Sequence, residues 1–239
     1  MIFGPKLWCI FNDLARLARG KPEVRPLFNQ FAKCLQFVLS CIYCRQSFTK
    51  YLRANPVEHA TDPALWVHQI HNSVQDKLER PKVLSWEEFE KRMATWTTFS
   101  SEFDVWDICF IFVLNFPDLQ VSGGADGECS CAVSDLTCTD YDEQIDQEYD
   151  EKLVLRKQFH YTVFFYALSR MLEHLDTHKS IAKYITLSEC SCDNFYEKAT
   201  FLSWLLAGRR EWSKNTGKEN IKTDEDLMFQ YSHAFAHKH

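Results

Sequence analysis

Two cysteines lie three positions apart in the stretch LSCIYCR, at Cys41 and Cys44. A thiol pair with this spacing can exchange with a disulfide, or it can supply half of a zinc site. If Cys44 opens a helix, the helix dipole and the neighbouring Arg45 favour the thiolate, which is the form that exchanges with disulfides. The pair therefore indicates redox chemistry, with zinc binding as the alternative.

A zinc site would need two more ligands at suitable spacing. The candidates are two CxC pairs and one pair of histidines: Cys129 and Cys131, Cys190 and Cys192, His68 and His71. None of them forms a second CxxC, so we expect no metal site. A thioredoxin-like fold is also excluded, because it needs a strand before the CxxC and the pattern here is helical on both sides.

A second group of chemically capable residues lies on a predicted helix. Its polar members have the spacing i, i+3, i+4 and i+7, which places them on one stripe: His68, His71, Asn72 and Gln75. A neighbouring stripe is apolar and contains Val67, Ile70, Val74 and Leu78. The polar stripe offers hydrogen-bond donors and acceptors to a large planar ligand. The alternative is a row of solvated side chains, since exposed polar residues are the norm.

Composition limits the class of protein that carries these residues. The chain has 239 residues, 46% of them hydrophobic, and a formal net charge of -6 without a basic run, so nucleic acid is not an expected partner. The longest apolar run, about 105–116, is too short to span a membrane and contains Asp107. The N-terminus lacks the layout of a signal peptide, so we expect a soluble cytoplasmic protein. Ten cysteines in a reducing compartment point to redox chemistry or metal binding.

The elements that position these residues are predicted to be helices, which gives an all-α fold. Start signals occur at Asp62-Pro63 and at the capping box Ser85 to Glu88. We predict a unit of five helices over 1–97 and a mainly helical accessory domain over 98–239, with a mobile acidic loop at about 119–150. The predicted helices cover 7–18, 26–39, the CxxC to Asn55, 62–80, 85–97, 101–117, 151–174, 178–187 and 193–207.

Three blocks, taken in order, resemble the Erv/ALR family of FAD-linked sulfhydryl oxidases. They are GPKLWCIFNDLA at 4–15, the CIYC at 41–44 and HNSVQDKLERP at 71–81. The resemblance covers residues 1 to about 95. The chain departs from the family pattern at three positions, with Asn12 in place of His, Gln75 in place of Asn and Arg80 in place of Lys. These replacements can still form hydrogen bonds, so the resemblance implies cofactor binding with altered contacts.

The resemblance implies a bundle of four to five helices that binds FAD beside the CxxC. It implies that Cys44 faces the flavin and that Cys41 exchanges with thiol-containing protein substrates. Electrons would pass from substrate thiols through the CxxC to FAD and then to dioxygen, giving hydrogen peroxide. The implied cofactor contacts are Gly4, Lys6, Trp8, Asn12, His68, His71, Asn72, Val74, Gln75, Arg80 and Trp86.

Further features follow from the resemblance alone. Family members are commonly homodimers, and many relay electrons through a second cysteine pair, for which Cys129/Cys131 and Cys190/Cys192 are rival candidates. The appended helical domain is similar to that of the oxidases of large DNA viruses, which implies a location in host cytoplasm or in a virion. The histidines of the C-terminal tail are expected to be solvated. The alternative function is a zinc-stabilised or non-enzymatic helical interaction or virion protein.

Overall fold

A computed structural model of the chain describes residues 3–80, 84–96, 102–116, 151–176, 178–186 and 197–218. Throughout these ranges the regular structure is helical, so the predicted all-α class is confirmed. The α-helices are α1 (Phe3–Gly20), α2 (Arg25–Val38), α3 (Ile42–Ala54), α4 (Pro63–Lys77), α5 (Trp86–Trp96), α6 (Glu102–Leu114), α7 (Glu151–Leu172), α8 (Lys179–Ile185) and α9 (Lys198–Thr216). Short 3-10 helices, Pro22–Val24 and Val57–His59, precede α2 and α4.

Both predicted start signals are confirmed. The Asp62 carboxylate accepts hydrogen bonds from the amides of Ala64, at 2.8 Å, and Leu65, at 3.3 Å, at the start of α4. At the start of α5, the Glu88 carboxylate accepts from the Ser85 amide at 3.0 Å, and the Ser85 hydroxyl accepts from the Glu88 amide at 3.2 Å. These caps fix where the two helices that carry His68 and Trp86 begin.

The predicted end of the last helix at residue 207 is wrong, because α9 continues to Thr216. It ends at Gly217, whose φ of 64° is a left-handed conformation that glycine adopts without strain. Gly208 has a packing role. A Cβ at that position would lie 2.7 Å from the carbonyl oxygen of Tyr184, so the missing side chain allows α9 to approach α8.

One hydrophobic cluster contains residues from both sides of the predicted boundary near residue 97. Helix α2 packs along α7, and α1 packs against both α4 and α6. Phe164 of α7 stacks on Phe31 of α2, with ring centroids 4.8 Å apart, and meets Phe112 of α6 edge-on at 4.8 Å. The late helices therefore contribute to the packing around the early ones, while the division into 1–97 and 98–239 stays a prediction.

Several sequence predictions fall outside the described residues. They are the acidic loop at 119–150, the cysteine pairs Cys129/Cys131 and Cys190/Cys192, and the C-terminal histidines. None of the helices in the described ranges is both long and apolar enough to cross a lipid bilayer.

Candidate functional site

The CxxC lies at the N-terminus of α3. Cys41 occupies the N-cap position, and its carbonyl oxygen accepts hydrogen bonds at 3.0 Å from the amides of both Cys44 and Arg45. The Arg45 guanidinium donates to the carbonyl of Leu39 at 2.7 Å, which ties the preceding loop to the first turn of the helix. Both cysteines hold free thiols. The prediction of a helical CxxC is therefore confirmed.

The thiol of Cys44 does not ionise as easily as its position suggests. Desolvation, together with a hydrogen bond and charge repulsion from Cys41, raises the pKa of Cys44 to about 12. The positive charges of Lys77 and Arg45 lower the pKa by less. The expectation of a favoured Cys44 thiolate is therefore wrong for the dithiol form. Although its thiol loses hydration, Cys44 as a whole residue is more exposed than Cys41, whereas the resemblance gives the substrate-facing role to Cys41.

Helix α3 is held against the C-terminal half of α4. The Tyr51 hydroxyl donates to the carbonyl of Ser73 at 3.0 Å. The Lys77 ammonium donates to the carbonyl of Tyr43, between the two cysteines, at 3.1 Å and also contacts the Ser47 hydroxyl. The last turn of α4 is therefore in direct contact with the CxxC segment.

The polar stripe on α4 faces into the protein. His71 is 1% exposed, and His68 and Gln75 are each 8% exposed, so the alternative of a solvated row is wrong for these three residues. Asn72, the fourth member, is half-buried. Buried polar side chains normally satisfy their donors and acceptors, which makes the surroundings of this stripe informative.

Aromatic rings from α1 and α5 surround the two histidines. The Trp8 ring meets His71 edge-on, with centroids 5.0 Å apart. Phe89 lies 5.0 Å from His68 and 5.3 Å from His71, and Trp86 lies 5.5 Å from His68. Three helices that are separate in sequence therefore converge on one cluster of flat side chains, which contains the predicted site residues Trp8, Trp86, His68 and His71.

Hydrogen bonds fix the polar members of the cluster. Asn72 pairs with the backbone of Leu84 in both directions, accepting at 3.2 Å and donating at 2.9 Å. The Nε2 atom of His68 lies 2.8 Å from the Leu84 carbonyl oxygen. On the other side, Nε2 of His71 lies 3.3 Å from Nε2 of Gln75, whose oxygen accepts from Arg80 at 3.3 Å.

Three buried polar atoms in this region have no hydrogen-bond partner within the protein. They are Nδ2 of Asn12, Nδ1 of His68 and Nδ1 of His71. A buried polar group without a partner costs about 1–3 kcal/mol, so a sequence retains such groups more readily where a ligand completes them. Unpartnered nitrogens among indole, phenyl and imidazole rings fit a planar group with polar edges.

Two sequence comparisons match the part of the chain that forms this cluster. The sequence model described as "Erv1 / Alr family" matches residues 6–96. Residues 6–96 are therefore similar to the Erv1/Alr family. The mitochondrial FAD-linked sulfhydryl oxidase ERV1 of Saccharomyces cerevisiae is 28% identical to this chain over 83 residues, covering 33% of this chain and 44% of the relative. The chain thus matches less than half of that relative's length. No solved structure matches the chain.

Three residues that were predicted to contact the cofactor have surroundings other than the aromatic cluster. Lys6 instead forms ion pairs with two carboxylates of α6, at 2.7 Å from Asp104 and in close contact with Asp107. Gly4 has open space around it, because a Cβ there would meet no atom within 4 Å. Val74 is half-buried on α4. The roles of these three residues toward a cofactor stay predictions.

Other contacts within the Erv1/Alr segment were missed from sequence. Phe89 touches both histidines, and its spacing of three from Trp86 on a helix could have indicated a shared face. The backbone of Leu84 anchors His68 and Asn72, and no residue type signals that. Among the described residues, no group of three or more His, Cys, Asp or Glu side chains is arranged to hold a metal ion.

Proposed function

We propose that the protein is an FAD-dependent sulfhydryl oxidase that forms disulfides in thiol-containing proteins and transfers the electrons to dioxygen. The observation that carries this proposal is the placement of the CxxC against the last turn of α4, the helix that also bears the buried His68, His71 and Gln75. The family match and the yeast relative, which is named as an FAD-linked sulfhydryl oxidase, support the same activity.

The residues of the cluster fit FAD as the cofactor. Trp8, Trp86 and Phe89 supply flat apolar surfaces, and the unpartnered nitrogens of Asn12, His68 and His71 supply polar contacts: one ring system can use both. We further propose that Asn72 and Val74 complete the contacts, and that Gln75 and Arg80 contribute by positioning His71. When bound, FAD supplies a two-electron acceptor that can be reoxidised by dioxygen, which protein side chains alone do not provide.

The cysteines carry out the thiol chemistry. In the oxidised enzyme, a substrate thiolate attacks the Cys41 sulfur and forms a mixed disulfide, and Cys44 leaves as a thiolate. The second substrate thiolate then attacks the substrate sulfur of this mixed disulfide, which releases the substrate disulfide and leaves Cys41 as a thiolate that takes up a proton. Two electrons thus move from the substrate to the two cysteines. The two protons that the substrate thiols release on ionising equal the two that dioxygen takes up when it is finally reduced to hydrogen peroxide.

Charges near the CxxC favour the leaving Cys44 thiolate in this scheme. Lys77 and Arg45 lower the pKa of Cys44, while desolvation and Cys41 raise it. In the mixed disulfide, Cys41 no longer carries a thiol, so its contribution is removed and the two cations act against desolvation alone. The pKa of Cys44 is therefore lower in the mixed disulfide than in the dithiol form.

The remaining parts of the proposal rest on the resemblance and not on the geometry. They are a homodimeric assembly, an electron relay through Cys129/Cys131 or Cys190/Cys192, an accessory role for residues 98–239, and a location in the cytoplasm or in a virion of a large DNA virus.

The test begins with the absorbance spectrum of the purified full-length protein, which should show bound flavin. An oxygen electrode should then record oxygen uptake with dithiothreitol, and catalase should return half of the consumed oxygen if the product is hydrogen peroxide. A colourless protein with stoichiometric zinc would overturn the proposal in favour of a zinc-stabilised interaction protein. A yellow protein without oxygen uptake would contradict the oxidase activity and favour a non-enzymatic role.

A further inference from the structure

The orientation of the Gln75 side chain is fixed by Arg80. A guanidinium group can only donate hydrogen bonds, so the atom of Gln75 that faces Arg80 at 3.3 Å must be the amide oxygen. The amide nitrogen of Gln75 therefore faces Nε2 of His71, at 3.3 Å, and donates to it. An Nε2 atom that accepts a hydrogen bond carries no proton. Neutral His71 must then carry its proton on Nδ1.

The backbone places Arg80 where this relay needs it. After α4 ends, Glu79 adopts a φ of 51°, which turns the chain back on itself. The amide of Arg80 consequently donates to the carbonyl of Gln75 at 3.1 Å. Arg80 is therefore held beside Gln75 by main-chain contacts as well as by its own side chain.

In His68 the proton lies on the other ring nitrogen, Nε2. Its Nε2 lies 2.8 Å from the Leu84 carbonyl oxygen, which can only accept a hydrogen bond. The amide of Asn72 is also oriented by Leu84, since its oxygen accepts from the Leu84 amide. Nε2 of His68 also lies 2.9 Å from the Asn72 amide nitrogen, but that nitrogen donates to the same Leu84 oxygen at 2.9 Å. The three atoms form a nearly equilateral triangle, so an amide hydrogen that points at the oxygen leaves none that points at Nε2. A bare Nε2 so close to the oxygen would be repelled, so Nε2 of His68 carries the proton and its Nδ1 is a bare acceptor.

The other ring nitrogen of each histidine, Nδ1, is buried and has no hydrogen-bond partner within the protein. His71 stays neutral near pH 7, because desolvation lowers its pKa to about 4. One of these nitrogens therefore bears a hydrogen and the other bears a lone pair. A ligand that satisfies both must bring one acceptor and one donor.

We propose that Arg80, Gln75 and Leu84 lock His71 and His68 into opposite neutral tautomers, so that Nδ1 of His71 donates to the bound cofactor and Nδ1 of His68 accepts from it. Gln75 and Arg80 are then positioning residues that act through His71. The identity of the cofactor as FAD rests on the proposed function. Flavin and adenine rings both carry N–H groups beside acceptor atoms, so either ring system matches this polarity.

The direct test is nitrogen-15 NMR of the full-length wild-type protein labelled at histidine, recorded at pH 7 as purified and again after removal of bound flavin. Two-bond nitrogen–proton correlations distinguish a protonated ring nitrogen from a bare one. The proposal expects the proton of His71 on Nδ1 and that of His68 on Nε2 in both preparations. It is overturned if His71 carries its proton on Nε2, or if both histidines share one tautomer.

Variants then test the relay itself. Gln75→Glu replaces the donor by a carboxylate that only accepts, so Nε2 of His71 must become protonated. Arg80→Lys keeps a donor and should preserve the wild-type pattern. The matched control is Gln69→Glu on the exposed side of the same helix, where the oxygen can still accept from Asn55 as it does at 2.6 Å in the wild type. The control should leave His71 unchanged, and a change there as large as in Gln75→Glu would contradict the relay.

A binding measurement links the relay to the cofactor. Gln75→Met frees Nε2 of His71, so only part of the population keeps the proton on Nδ1, and the Kd for FAD should rise by roughly two- to fivefold. An unchanged Kd would contradict the proposal. If the wild-type tautomers are as expected but the protein binds no flavin, the proposed function fails and the tautomer lock stands. If flavin binds and the tautomers differ, only the lock fails.

Discussion

Two buried regions of this protein place histidine side chains in opposite surroundings. Along the contact of α2 with α7, His160 is 4% exposed, its ring stacks on Phe37 at 3.7 Å, and its Nδ1 lies 3.8 Å from the Cys34 sulfur. In the α4 cluster, His71 is equally buried, but its Nδ1 has no partner within the protein. Nδ1 of His160 has a partner within the protein, whereas Nδ1 of His71 has none.

The difference between the two histidines fits a scaffold role for His160 and a ligand-facing role for His71, although a buried nitrogen without a partner also occurs outside the cluster, at Nε1 of Trp106. The hydroxyl of Tyr161, next to His160, also has a hydrogen-bond partner, because it donates to the carbonyl of Asn115 at 3.0 Å. A core gains stability when its polar groups are paired, whereas an unpaired group costs about 1–3 kcal/mol. The α4 cluster tolerates this cost at His68 and His71. Such a cost is expected where a ligand supplies the missing contacts.

The largest expected difference between the two regions concerns their cysteines. Cys44→Ser should lower dithiol oxidation on the order of a thousandfold, because a hydroxyl cannot form the disulfide that accepts electrons. Cys34→Ser is the control, since its hydroxyl can still contact His160. Oxygen uptake with dithiothreitol should be unchanged in that variant. If the folded Cys34→Ser protein were as inactive as Cys44→Ser, the contact of α2 with α7 would belong to the site.

The second prediction concerns the scaffold, where a substitution should lower stability without changing cofactor binding. Phe164→Ala removes a fully buried ring that packs on Phe31 and Phe112, and it should lower the free energy of unfolding by about 3–5 kcal/mol. The folded fraction should bind FAD with unchanged Kd. Urea unfolding and FAD titration measure the two effects separately. Phe159→Ala, on the same helix but half-buried, should cost clearly less. Equal costs would mean that α7 contributes to the core in a different way.

Local signals in the sequence were sufficient to predict the helices of the site. The Asp62 cap and the Ser85–Glu88 box involve neighbours in the chain, so residue types alone define them. The spacing of the α4 stripe likewise follows from helical periodicity. Long-range packing was beyond such signals. Cys34 and His160 are 126 positions apart, and no local pattern connects them.

The wrong predictions share the same physical cause. The last helix was predicted to end at residue 207, but α9 continues through Gly208, whose small size serves the contact of α9 with Tyr184. Cys44 at a helix start suggests a low pKa, but desolvation and Cys41 outweigh the nearby cations. Whether the α4 stripe faces solvent or protein depends on Trp8 and Phe89, which arrive from other helices. In each case the outcome depended on the folded surroundings of the residue, which the residue types along the chain do not specify.

The third prediction uses the pH dependence of the unpaired histidine. Desolvation lowers the pKa of His71 to about 4, against an ordinary value of 6.5, so the unfolded chain binds more protons between these values. The stability that neutral His71 contributes is present above pH 6.5 and is lost as pH falls through 4, by about 3 kcal/mol. Urea unfolding of the flavin-free protein at pH 7 and pH 4 measures this loss.

The His71→Phe variant should lack this part of the acid sensitivity. Carboxylates also titrate in this range, so the informative quantity is the difference between wild type and variant. His59→Phe provides the control, because His59 is exposed and its substitution removes a histidine from the surface. It should keep the wild-type loss between pH 7 and pH 4. If His71→Phe were as acid-sensitive as the wild type, His71 would be hydrated or paired, and the contrast with His160 would disappear.

The smallest expected effect decides the region to which Lys6 belongs. The sequence places it among the cofactor contacts, whereas its ammonium pairs with Asp104 and Asp107 of α6. As part of the scaffold, Lys6→Met should lower the free energy of unfolding by about 1–2 kcal/mol, because it leaves two partly buried carboxylates without their cation. The Kd for FAD should not change.

A double-mutant cycle makes this assignment sharper. If Lys6 acts through α6, then Asp107→Asn should cost less stability in the Lys6→Met background than in the wild type, because the repulsion between Asp104 and Asp107 is relieved. Additive costs together with a weakened Kd for FAD would instead return Lys6 to the site, as the sequence predicts. Because the ion pairs join α1, which carries Trp8, to α6 beyond the family match, the first outcome would mean that the later helices support the cluster without touching the cofactor.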